Sequence, residues 1–226
     1  MTIPNPSLVF LLDCDNTLLD NDALKVDLDR QLGALLGVDL NARFWELYEA
    51  VRQDTETVNF PVVLERFAAI CPDGALCERA RAIIMDYPFA ARLYPDTLAT
   101  LDHLRAIGQP AILSDGDPVY QPLKIARSGL SAAVDGRVLV YIHKEDHLDE
   151  VMARWPATIY VAVDDKARIL AALVARRPDR FVTVHVRQGH YGTDPTAYSP
   201  APDLALDHIG DLRSLTTADF TRLLVR

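Results

Sequence analysis

Short apolar runs, each ending at a polar or charged residue, constrain this chain more than any other feature of its sequence. Residues 8–12 stop at Asp13, residues 111–113 at Ser114 and residues 138–142 just ahead of Lys144. Residues 158–163 stop at Asp164 and Asp165, and residues 181–186 at Arg187. Continuously apolar runs of this length predict strands buried on both faces. Helical spacing between them predicts an α/β fold, a doubly wound parallel sheet covered by helices on both sides. In such sheets the ligand site lies outside the carboxyl ends of the strands. The polar residues at those ends are therefore expected around one crevice.

The connection between the first two runs is far longer than the dozen or so residues a parallel crossover needs. Leu24, Leu28, Leu32, Leu35 and Leu36 follow helical spacing and stop at Gly37. Phe44, Leu47, Tyr48 and Val51 form a second helical face, started by Asn41; Val63, Phe67 and Ile70 suggest a third, and Leu76, Ala80, Ile83 and Tyr87 a fourth. Residues 21–90 are thus expected to be an α-helical cap domain inserted into a core domain of residues 1–20 and 91–226. Most of the aromatic residues Phe44, Trp45, Tyr48, Phe60 and Phe67 fall on helical spacing, which assigns them to the core of the bundle rather than to a substrate wall. Pro95 and Asp96 start, and Gly108 ends, the helix that supplies the crossover. Asp117-Pro118 is expected to start the next.

At 226 residues the chain is long enough for one large domain with an insertion. A formal net charge of -9 argues against nucleic-acid and anionic-membrane surfaces as partners, so an anionic ligand needs a local positive site. Nothing approaches the length of a membrane span or has the pattern of a secretory signal. Cys14, Cys71 and Cys77 cannot pair evenly and have no zinc-ligand pattern, which fits a reducing, cytoplasmic compartment. Oligomeric state is not readable from the sequence.

Asp13 and Asp15 are two apart at a strand end, so an extended chain sends both side chains to the same face. Converging with Asp164 and Asp165, they would repel at about 4 kcal/mol per pair at 4 Å and an effective dielectric of 20. A divalent cation and a lysine relieve this, and an all-oxygen ligand set favours Mg2+ over zinc. Lys144 adds a fixed positive charge and Ser114 a hydroxyl, a combination suited to phosphoryl oxygens. Asp13 is placed to attack phosphorus. Asp15 is placed to protonate the leaving oxygen and then to deprotonate water, which requires it to be protonated while Asp13 is ionised.

The chain resembles the haloacid dehalogenase superfamily, whose members are dominated by magnesium-dependent phosphatases. The resemblance rests on Asp13-Cys14-Asp15-Asn16-Thr17 after the first strand, Ser114 ending the second, Lys144 ahead of a helix, and Asp164-Asp165 closing a later strand. It spans essentially the whole chain, including the helical cap. It implies a nucleophile at Asp13, an acid/base at Asp15, phosphate binding by Ser114 and Lys144, and metal ligation by Asp13, the Asp15 backbone carbonyl and Asp165. Asp164 is implied as a second or outer metal partner.

Two features depart from the family pattern. No Gly precedes the fourth-motif acid and Lys166-Ala167-Arg168 stands where many members place another acid, leaving ligation open between Asp164 and Asp165. Asp115 follows Ser114 where an amide is commoner. The function implied is an Mg2+-dependent phosphatase acting on a small phosphorylated metabolite through an aspartyl-phosphate on Asp13. The alternatives are a 2-haloacid dehalogenase using the same nucleophile and a non-catalytic phospho-ligand-binding protein. Carbon–halogen displacement needs no leaving-group acid, so Asp15 points to the phosphatase. Arg187 and His190 are candidates for the substrate rim, with a solvated loop as the other reading.

Overall fold

A computed structural model of the chain describes residues 7–194 and 196–224; residues 1–6 and 225–226 of the expected core, and Pro195 of the expected loop, lie outside them. The first strand is β1 (Leu8–Leu12), followed by helices α1 (Asn21–Thr55), α2 (Phe60–Ala68), α3 (Gly74–Met85) and α4 (Thr97–Ile107). Then come β2 (Gln109–Asp115), α5 (Tyr120–Arg127), α6 (Leu130–Ala133), β3 (Val138–Tyr141) and α7 (Leu148–Arg154). The chain continues through β4 (Ile159–Asp164), α8 (Ala167–Arg176), β5 (Phe181–Val186), α9 (Gly189–Gly192), β6 (Leu204–Leu206) and α10 (Thr217–Leu224).

Among the described residues the six strands form one parallel sheet in the order β3-β2-β1-β4-β5-β6. The unbroken apolar character of β1 has a direct cause. Leu8, Phe10 and Leu12 enter a core shared with α1, α4, α5 and α10, whereas Val9 and Leu11 enter a second core with α7 and α8. Neither face meets water, so neither tolerates a polar residue. The order reverses direction at β1, with β2 and β3 on one side and β4 to β6 on the other, which makes the β1/β4 boundary the switch point of the sheet.

The segment between β1 and α4 contains helices and no strand. Gly37 breaks α1 with φ 75°, a conformation that a side chain would penalise. The second half of α1 starts directly after it, so Asn41 is inside the helix rather than at its start. Its Nδ2 instead donates to Asp29 Oδ1 at 2.9 Å, bridging the two halves of the broken helix. The helix expected at Asp117-Pro118 begins at Tyr120, with Asp117 Oδ1 accepting from the Val119 and Tyr120 amides. The cysteine reading also changes. Cys71 and Cys77 form a disulfide across the turn into α3, which Asp73 caps, and Cys14 remains a buried free thiol. An odd count simply leaves one over. No helix among the described residues is long and apolar enough to cross a membrane.

Candidate active site

Register places the acids. Leu12 pairs with Val163 on β4 and with Ile112 on β2. One residue further, the Asp13 amide still donates to Val163 O at 2.9 Å, so Asp13 leaves the sheet beside Asp164 and Asp165. Carboxylate oxygens of Asp13, Asp164 and Asp165 all lie within 4.8 Å of one another, and all three residues are buried. Lys144 comes to them from the short turn after β3. Its Nζ donates to Asp13 Oδ1 at 2.6 Å and to Leu113 O at 3.2 Å, and it pairs with Asp164 Oδ2 at 2.7 Å. The Lys144 amide donates to Asp115 Oδ1 at 2.8 Å, so the unexpected acid after Ser114 holds the turn that delivers Lys144.

The three acids are not equivalent. Burial pushes Asp164 up, but Lys144 and Lys166 outweigh it and hold this carboxyl below its usual range. Its other oxygen accepts from the Lys166 amide at 2.8 Å. Burial raises Asp165 to about 9, with Asp164 and Asp13 adding to the effect. Burial likewise raises Asp13 to about 6 against the pull of Lys144. Asp13 Oδ2 and both oxygens of Asp165 are buried without a hydrogen-bond partner among the described residues. Unpartnered buried carboxylate oxygens converging from two strand ends fit a hard cation. Within this set the Asp164 oxygens are engaged by Lys144 and the Lys166 amide, while those of Asp165 have no partner among the described residues.

Asp15 faces a different partner. Lys124, on α5 and 2% exposed, donates to its carboxylate oxygens at 2.5 and 2.7 Å. Gln121, one turn earlier, donates to Asp15 Oδ2 at 3.3 Å and to Ser114 Oγ at 2.9 Å. The sequence reading missed both residues. The signal available was a lysine and a glutamine on one face of the helix that follows the second strand, in the otherwise apolar setting of Leu123 and Ile125. Ser114 is buried where expected at the end of β2, and its hydroxyl is engaged by Gln121 and by the Asp115 carbonyl at 3.3 Å.

Asp15 and Asp165 line a cleft of about 420 Å³ between the sheet ends and the helices of residues 21–85. Lys166, whose basicity burial lowers and Asp13 and Asp164 more than restore, also faces it. Three polar bridges close the helices over the core: Glu56 with His143 at 3.2 Å, Asp22 with His190 at 2.7 Å, and Asp86 with Arg127 at 2.7 Å. Phe60 and Tyr120 meet across the same boundary with ring centroids 4.7 Å apart. Tyr48 and Phe60 pack in the bundle as expected, yet both also line the cleft.

His190 lies on the cleft, tied to Asp22 by its amide at 2.8 Å and by Nδ1. Gly189 makes that contact geometrically feasible: it has φ 65°, and a Cβ there would sit 2.4 Å from Asn16 Cγ. Arg187 is not on this cleft. It pairs with Asp207 at 2.7 Å and lines a separate depression.

No family model matches the chain, and no curated protein matches it. Among solved structures, a haloacid dehalogenase-like hydrolase of Burkholderia xenovorans LB400 is 47% identical, with a TM-score of 0.84 over 93% of this chain and 99% of that one. The HAD-hydrolase YfnB of Bacillus subtilis, described as bound to magnesium, is 14% identical with a TM-score of 0.60, over 92% of this chain and 98% of its own. L-2-haloacid dehalogenase of Xanthobacter autotrophicus, with chloropropionic acid covalently bound, is 19% identical with a TM-score of 0.58, over 93% of this chain and 98% of its own. The latter two share the fold; the first, at its identity and coverage, places this chain among the haloacid dehalogenase-like hydrolases.

Proposed function

We propose that the protein is an Mg2+-dependent phosphatase that hydrolyses a small phosphorylated metabolite through an aspartyl-phosphate on Asp13. The observation that carries this reading is the pair of strand-end acids: Asp13 is held at one oxygen by Lys144 while its other oxygen is unpartnered, and Asp15 opens into the cleft two residues on. Dehalogenation needs no acid at the second position. Asp13, Asp165 and the Asp15 backbone carbonyl would hold the ion, in keeping with the magnesium in the Bacillus subtilis protein's description. The chemistry such an ion supplies is neutralisation of the carboxylates and polarisation of the phosphoryl oxygens.

Lys144 fixes the attacking carboxylate and balances the charge that builds on the phosphoryl group. Asp15, a carboxylate paired with Lys124 in the free protein, takes up a proton from solvent as substrate binds. An Asp13 oxygen then bonds to phosphorus as the ester P–O bond breaks, and Asp15 gives that proton to the departing alkoxide. Asp15 then takes a proton from water, the water oxygen bonds to phosphorus, and Asp13 is released with inorganic phosphate. Gln121 and Lys124 keep the Asp15 carboxyl directed at the cleft throughout.

The test is phosphate release from a panel of phosphorylated metabolites with Mg2+, run beside Asp13→Asn. The expected result is turnover that the variant loses by roughly a thousandfold or more. Full activity in Asp13→Asn overturns the nucleophile, and halide release from a 2-haloacid without magnesium replaces the phosphatase by a dehalogenase.

A further inference from the structure

The reaction described above leaves one cation of the cleft without a task. Lys25 stands one turn into α1, and its Nζ lies 4.9 Å from the centre of the Tyr48 ring, with both residues on the cleft wall. The other cleft cations are engaged. Lys124 pairs with Asp15 at 2.5 Å, Arg52 with Glu49 at 3.0 Å and Arg168 with Glu145 at 3.4 Å. Lys166 Nζ lies 5.2 Å from the centre of the Tyr191 ring, on the side of the cleft where, against burial, Asp13 and Asp164 raise its basicity.

The acids nearest Lys25 in sequence are also engaged: Asp22 binds Asn16 and His190, and Asp27 binds Tyr87 and Arg92. Lys25 therefore has no carboxylate partner among the described residues, and the Tyr48 ring is the contact that holds it. The Tyr48 hydroxyl likewise has no hydrogen-bond partner among them. Burial, with Glu49 acting in the same direction, pushes this phenol well above its usual value, so it stays a neutral O–H donor. Leu24, Val58 and Phe60 add apolar surface to the same cleft, with the Phe60 ring 5.4 Å from that of Tyr48, and apolar surroundings strengthen a charge contact.

We propose that Lys25, with Tyr48 beside it, selects substrates carrying a second anionic group, so that the protein acts on small phosphomonoesters bearing a carboxylate or a second phosphate away from the scissile phosphoryl. The inference rests on the phosphatase reading and adds the substrate class. In a chain of net charge -9, an anionic substrate body needs a local cation, and Lys25 is the one the machinery leaves over. A cleft of about 420 Å³ has room for a phosphoryl group and a short carbon skeleton.

The experiment compares pairs of matched shape with Mg2+: phosphoglycolate against ethyl phosphate for a carboxylate, and a hexose bisphosphate against the hexose monophosphate for a second phosphate. The expected result is that the doubly anionic member of at least one pair is preferred in kcat/KM by about ten- to hundredfold. Whichever pair shows the preference identifies the second anion. Lys25→Met brings that ratio near one through KM, and Lys25→Arg restores it. Each ratio is taken within one variant, so a general loss of folded protein cancels. A wild-type ratio near one in both pairs, or a ratio that Lys25→Met leaves intact, overturns this inference alone, with ethyl phosphate turnover still supporting the phosphatase. No turnover on any phosphoester overturns both.

Discussion

The ammonium of Lys124 lies 2.5 Å from one carboxylate oxygen of Asp15 and 2.7 Å from the other, joining the helix after the second strand to the acid after the first. The side chains differ in exposure, 3% for Lys124 and 25% for Asp15. Removing either partner strands a charge, and the cost follows how far water can reach it. Lys124→Met leaves a carboxylate that water solvates, and is expected to cost about 2 kcal/mol; Asp15→Ala leaves a buried ammonium and is expected to cost about 3 kcal/mol or more. Urea unfolding of the two variants checks the order. The reverse order would mean that the pair does not govern this part of the fold.

Asp164 and Asp165 adjoin in sequence and differ in their partners. Titrating MgCl2 into the metal-free protein is expected to raise Tm, with about 2.7 kcal/mol gained at a hundred times Kd. Asp165→Asn is expected to lose most of that gain, since both of its oxygens are the unpartnered ones. Asp164→Asn is expected to keep most of the magnesium gain but to weaken one of the contacts that hold Lys144, and so to lower turnover instead. Equal Tm shifts in wild type and Asp165→Asn would remove Asp165 from the ligand set.

His143 ties the core to Glu56 at the end of α1. The Glu56 hydrogen bond raises its imidazole above 6.5 against slight desolvation, with Glu145, Glu56 and Asp115 adding charge in the same direction. A histidine whose folded pKa is raised favours the folded contact fully below the unfolded value, and that contribution is lost as pH rises through the folded value. The contact between α1 and the core is therefore expected to loosen on the alkaline side of 6.5. NMR titration of His143 and amide exchange around residues 55–58 read this directly. Glu56→Gln should lower the His143 midpoint, and a midpoint that stays put would sever the link.

Gly189 combines a left-handed backbone with a close approach to Asn16. Gly189→Ala is expected to cost about 1–3 kcal/mol. It should also displace His190 from Asp22, because the added methyl must push apart the segments those residues join. Thermal unfolding together with the His190 chemical shift distinguishes this from a local strain that leaves the contact intact.

Much of this site could be read from the chain because its components are local. A strand buried on both faces must be continuously apolar, so its end is visible as the point where polarity begins, and Asp13, Asp15, Ser114, Lys144 and Asp164-Asp165 all stand at or just past such points. Helical spacing likewise disclosed the helices between β1 and α4, and Gly37 the break in the first of them. Asn41 misled because a residue with a strong capping preference also serves inside a helix when a side-chain partner such as Asp29 is near.

Only the tertiary structure decided which acid beside Lys144 is satisfied and which is left bare, since that depends on angstrom-scale geometry between β1, β4 and the turn after β3. It also decided that Lys124 and Gln121 serve Asp15, that Lys25 has no carboxylate partner among the described residues, and that Arg187 faces Asp207 away from the cleft. Pattern along the chain records what each segment must bury. Which charges meet depends on how distant segments pack, and in this fold Asp15 finds its lysine more than a hundred residues away.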